Sequence, residues 1–182
     1  MGMMLSIVLL LLLAWMGFAF NRLIRLRNQM RTGWADIDVQ LSRRHDLVPQ
    51  LVAAVAGYAS HEKSVLEAVA TLRSQAMQQT SPTRLGEVES ELEQALSRLL
   101  ALKEAYPNLK ASDNFVQLQR DLVTVEDHLQ YARRFYNGAV RDYNDAVQRV
   151  PDMLIAHAFA FRIGEFYQAQ ASERPPATVR LP

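Results

Sequence analysis

A chain of 182 residues with 49% apolar side chains has room for one membrane segment and one modest domain. Its 20 lysines and arginines against 19 aspartates and glutamates leave a net charge of +1, which excludes a dedicated nucleic-acid binder with its basic surplus. The absence of cysteine excludes a disulfide framework and a cysteine nucleophile, and it fits a cytosolic domain.

The first element is the apolar run from Met3 to Phe20, broken only by Ser6 and followed by Arg22. At 1.5 Å per residue it covers most of a hydrocarbon layer roughly 30 Å thick. Ser6 is tolerable because a helical serine bonds back to a carbonyl one turn earlier. Leu23, Ile24 and Leu26 extend the run while the Arg22 and Arg25 heads reach the headgroups. Gly17-Phe18-Ala19 would serve as a signal-peptidase site, but no cationic n-region precedes the run. Met1-Gly2 through Ser6 also fits the loose myristoylation pattern, which a following hydrophobic run makes redundant. A buried core helix would not be apolar all round, as Leu9 to Leu13 are. The run reads as a single-pass transmembrane anchor over residues 1–26. Arg22, Arg25, Arg27 and Arg31 follow it and no side-chain charge precedes it, so the N-terminus is expected outside and the remainder in the cytosol.

A domain over 27–167 is expected to be an antiparallel helical bundle. Met30, Trp34, Ile37, Leu41, Val48, Leu51, Val55 and Tyr58 recur with spacings of four and three, skipping the position of Arg44. Pro49 predicts a kink or a restart capped by Asp46, after which the rhythm continues towards Gln79. A second helix is predicted from Thr83 to Ala105, with Glu87, Glu89, Glu91 and Glu93 in its first half, where the helix dipole favours acids. A third runs from Ser112 or Asp113 to Arg149 and keeps its three-four rhythm from Phe115 to Val150. Pro151 breaks it, and Asp152 to Tyr167 is a dense apolar segment. The tail, 168–182, has too little to bury and is expected to be disordered. The fold class is all-α, with a long, kinked first helix.

Motifs for chemistry are sparse. His61-Glu62-Lys63-Ser64-Val65 starts like a zinc-protease helix but has Val65 where the second ligand must stand. His45, His61, His128 and His157 are scattered, and there is no glycine-rich phosphate loop and no nucleophile elbow. No catalytic, cofactor or metal residue is therefore assigned. Arg43 and Arg44 either form a solvated patch, pair with the acidic second helix, or dock a partner or anionic lipid. Tyr136-Asn137 recurs one heptad later as Tyr143-Asn144, either a device for helix register or a ligand site.

Several blocks carry a family resemblance: Trp34 to Leu41, Arg43-Arg44, Asp46 to Pro49, Gly57 to Glu62, Glu104 to Ala111, Asn114-Phe115, the two Tyr-Asn pairs, Pro151 and Phe159-Ala160-Phe161. Together they look like the signature of the LemA family, over about residues 21–166. Departures are Phe20 where the family tends to have tyrosine, Gly33 where alanine is usual, and His45 after the arginine pair. The resemblance implies a bacterial membrane protein with an N-terminal anchor and a helical bundle. It implies no established catalysis, and it supplies no site residues or cofactor. Members are often encoded near a membrane-bound heat-shock metalloprotease, and one branch serves magnetosome membranes.

Two functions follow as expectations. The first is a non-enzymatic scaffold or adaptor in the cell membrane, binding itself or a membrane protein such as that metalloprotease. The second is a membrane-surface, lipid-binding stress sensor without catalytic activity, using its basic residues and the segment Asp152–Tyr167. A first helix continuing to Gln79 would span about 75 Å and the second only about 35 Å. Met30, Trp34, Ile37 and Leu41 would then lack a cover and would, with Arg43 and Arg44, form a partner or self-association surface.

Overall fold

The computed structural model describes residues 1–59 and 61–167. Its elements are α1 (Gly2–Ala56), α2 (Lys63–Ala76), α3 (Pro82–Ala101), a 3-10 turn (Leu102–Glu104), α4 (Pro107–Lys110), α5 (Asp113–Gln148) and α6 (Asp152–Ala158). Among the described residues there is no strand. The tail expected to be disordered, 168–182, lies outside them. Two compact units are formed. An anchor unit comprises Met1–Asp38 and Gln130–Phe166, and a bundle unit comprises Val39–Leu129 together with Tyr167.

In the anchor unit, α1 begins bare. Met3 to Leu13 are exposed around the full circumference, and Ser6 Oγ donates to the Gly2 carbonyl at 3.1 Å. This segment is long and apolar enough to cross a membrane. Further along, Ala19 and Leu23 are fully buried with Tyr143, Ala146, Val147, Ile155, Ala156 and Phe161, and Trp15, Phe20 and Met30 pack onto that cluster. Here α5 runs antiparallel to α1. Trp34 meets Tyr136 at one end, with ring centroids 5.3 Å apart, while Arg22 pairs with Asp152 and Phe20 meets Phe159 edge-on at the other. A Cβ on Gly33 would stand 3.0 Å from the Phe135 ring and 3.1 Å from Tyr136 Cα, so glycine lets the two backbones approach.

The C-terminus of α6 closes with a Schellman motif. Ala160 adopts a left-handed φ of 53°, and the Phe161 amide donates to the Ala156 carbonyl at 2.9 Å. This turns Phe161 back into the core, edge-on to Phe20 at 5.8 Å.

The bundle unit is built on α1 from Val39 to Ala56, α2, α3 and the first half of α5. Its core holds Val48, Leu51, Val55, Val69, Leu92, Leu96, Leu99, Leu109, Phe115 and Leu118. Two expectations are corrected here. α1 passes through Pro49 without a restart, and the break falls instead at the turn after Ala56. The rhythm towards Gln79 therefore belongs to two helices, α1 and α2. Gly57 and Tyr58 form the turn, and Ala59 returns to the core with no exposed surface. α3 and α5 lie within a few residues of their predicted bounds. Ser112 caps α5, accepting from the Phe115 amide at 3.5 Å.

Candidate functional site

The bundle core contains charges. Arg44 and Glu89 sit at core positions of α1 and α3, with 1% and 0% of their surface exposed. Arg44 Nη1 donates to Glu89 Oε2 at 2.9 Å, and its second terminal nitrogen pairs with Glu126 of α5. His45 Nε2 lies 2.6 Å from the other Glu89 oxygen. Burial by itself would raise the Glu89 carboxyl. The His45 hydrogen bond and the Arg44 charge overcome it and hold Glu89 below the ordinary carboxylate range.

Pro49 completes this cluster through the backbone. A residue at position 49 with an N–H would donate it to the His45 carbonyl, four residues earlier, and proline has none. That carbonyl instead accepts from Arg73 Nε of α2 at 2.7 Å. A proline tolerated inside a helix thus ties α2 to α1. A further tie joins the turn to α4: Tyr106 Oη donates to Glu62 at 3.3 Å. Burial and the Glu62 charge together raise the Tyr106 hydroxyl above its usual range. Glu62 of the incomplete zinc motif is therefore engaged by a tyrosine. Among the described residues no three His, Asp or Glu side chains gather where a metal ion could sit.

The residues singled out in the sequence separate into three groups. Ile37 and Leu41 keep 0% and 3% of their surface, Met30 packs on the anchor core and Trp34 on Tyr136, so the stripe is not left uncovered. Within the anchor unit α5 returns alongside α1, where Tyr143, Ala146 and Val147 pack with Ala19 and Leu23. Arg44 takes the ion pair with the acidic helix, whereas its neighbour Arg43 is exposed. The Tyr-Asn pairs act within the anchor unit on the segment after α6. Asn144 donates to the Gly164 carbonyl at 3.0 Å and accepts from its amide at 2.7 Å, and Tyr136 Oη donates to the Glu165 carbonyl at 2.8 Å. Burial, with Glu165 adding to it, pushes the Tyr136 hydroxyl up to about 12. Tyr143 is in the anchor core, and Asn137 is half-buried.

Sequence reasoning missed Glu89, Glu126, Arg73 and Asp152. Glu89 carried a signal: Leu85, Glu89, Leu92, Leu96 and Leu99 step by four and three, which places a carboxylate on the apolar face. With Arg44 at a skipped position of α1, two opposite charges occupied core sites on two helices. Chemically, the cluster can lock helices together. Neither Arg44 nor Glu89 can reach a substrate unless the bundle opens.

The sequence model of the LemA family matches residues 33–180. Magnetosome protein MamQ 2 of Paramagnetospirillum magneticum is 23% identical, with 89% of this chain and 70% of the relative covered. Magnetosome protein MamQ of Magnetospirillum gryphiswaldense is 22% identical with the same coverage. Protein LemA of Metamycoplasma hominis is 24% identical over 85% of this chain and 71% of the relative.

Proposed function

The chain belongs to the LemA family, and on that premise we propose that it is a membrane-held, non-enzymatic scaffold or adaptor that binds a second copy of itself or a membrane-protein partner. The observation that carries this reading is α1. One helix supplies an apolar segment bare on every side and then enters both folded units. The buried charges support the same reading, since Arg44 and Glu89 are consumed in holding helices together. The folded part is proposed to lie in the cytosol, on the strength of the arginines that follow the span. A membrane-bound heat-shock metalloprotease is the partner class that the family resemblance suggests.

With Ile37 and Leu41 enclosed, the contact surface is proposed on α5 of the anchor unit. Tyr131 and Phe135, one helical turn apart, keep 66% and 46% of their surface. The test places a photo-crosslinking amino acid at Tyr131 and at Phe135 of the full chain in its native membrane, with adducts identified by mass spectrometry. A discrete adduct is expected, either with a second copy or with one membrane protein. Correct insertion without a discrete adduct at either position would contradict the proposal.

A further inference from the structure

The geometry points to a second membrane contact: the α5–α6 corner of the anchor unit sits in the lipid interface beside the span, with Val150 and Leu154 inserted between headgroups. The inference rests on α1 being a membrane span, and it adds where the folded part touches the bilayer.

The level of the corner follows from its contacts. The apolar run ends at Phe20 and the first charge is Arg22, so the near edge of the hydrocarbon falls at these two residues. Both are bonded to the corner. Phe20 meets Phe159 edge-on with ring centroids 4.9 Å apart, and Arg22 pairs with Asp152 at the start of α6. Val150 and Leu154 are thereby held at the height where water gives way to lipid.

Exposure gives the direction. On α6, Asp152, Ile155 and Ala156 face the core, while Leu154 points away with 61% of its surface open. Val150 keeps 69% and Phe159 53%. The one carboxylate on α6, Asp152, is consumed by Arg22 and does not spoil the face. Arg149 and Arg162 are exposed on either side of the corner. An apolar tip between arginines matches an interface of acyl chains below and phosphates above, where each basic residue contributes about 1 kcal/mol on anionic lipid.

The chain has no cysteine, so single-cysteine variants can be labelled with an environment-sensitive fluorophore in the full-length protein. Leu10→Cys reports the span, Val150→Cys and Leu154→Cys the corner, Ile163→Cys the exposed residue beyond it, and Thr124→Cys an exposed site of the bundle unit. Each is placed in nanodiscs of phosphatidylcholine and phosphatidylglycerol at one copy per disc, and quenching by spin-labelled lipid is read. The expected order is strong quenching at Leu10, intermediate quenching at Val150 and Leu154, weak quenching at Ile163 and none at Thr124. Quenching at Leu10 with none at Val150 and Leu154 would overturn the corner contact and leave the span reading intact. No quenching at Leu10 would remove the span reading, and this inference with it. A blue shift at Leu154 only when several copies share a disc would assign the corner to a second copy and overturn the lipid contact.

Discussion

The two units differ in where their most deeply buried charges and their most open apolar side chains fall. The bundle unit buries an arginine and a glutamate, 1% and 0% exposed, beside its apolar core. The anchor unit ties down backbone with Asn144 and Tyr136 and leaves leucine, valine and phenylalanine open at its corner. In the first, the cost of burial falls on charge, which is acceptable only because each charge is paired. In the second, the cost falls on exposed hydrocarbon, which disappears if the corner meets lipid.

Charge removal separates the units most. Arg44→Met leaves Glu89 buried without its cation and should destabilise by about 3–5 kcal/mol. Arg22→Met breaks a pair whose arginine side chain is 33% exposed, so about 1 kcal/mol is expected. Denaturant unfolding followed by circular dichroism measures both, and equal losses would erase the contrast.

Packing comes next, within the anchor unit. Gly33→Leu forces a side chain against Tyr136 Cα and should cost about 1–3 kcal/mol. At Gly138 nothing lies within 4 Å of an added Cβ, and Gly138→Ala should gain up to about 1 kcal/mol from helix propensity. A stable Gly33→Leu protein would show that α1 and α5 are not in close contact there.

The proline link predicts a coupling. Arg73→Ala should cost about 1–2 kcal/mol by leaving the His45 carbonyl unpaired. In a Pro49→Ala background the new amide at position 49 satisfies that carbonyl, so the same substitution should cost clearly less. Equal costs in both backgrounds would refute the link between Pro49 and Arg73.

Titration gives the smallest effects, and Glu89 of the bundle unit and Tyr136 of the anchor unit respond in opposite directions. Glu89 is depressed, so its stabilising contribution is complete above the ordinary value of 4.5 and is lost as pH falls below it. Tyr136 is raised to about 12 from 10.0, so its contribution is complete below 10 and is lost as pH climbs towards 12. Acid should therefore weaken the bundle unit through Glu89 and alkali the anchor unit through Tyr136, with the raised Tyr106 adding an alkaline limb to the bundle unit. Glu89→Gln and Tyr136→Phe should each flatten one limb of the stability profile.

Periodicity made the helices legible, α5 above all, because an unbroken three-four stripe reports one apolar face. It does not report what covers that face. Ile37 and Leu41 looked uncovered because the first helix was extended through Gly57 to Gln79 and α5 was not followed back to the membrane end. Pro49 looked like a break because its remedy, Arg73, lies 24 residues further along the chain and only tertiary structure brings the two together. Glu89 was hidden among three other glutamates, and its position on the stripe was the only mark that set it apart. Arg22 was read as a headgroup ligand, and its partner Asp152 is 130 residues away.

That the buried cluster is structural is tested most directly by replacing it whole. Arg44→Met, His45→Leu and Glu89→Leu combined remove both charges together with the imidazole and fill the core with apolar side chains. Glu126 loses this arginine, but its side chain is already 26% exposed and in reach of water. The triple variant should recover most of the stability lost in Arg44→Met alone and keep the same photo-crosslinked adducts in the native membrane. A triple variant that folds and inserts but loses those adducts would show that the charges serve recognition, contradicting a structural role.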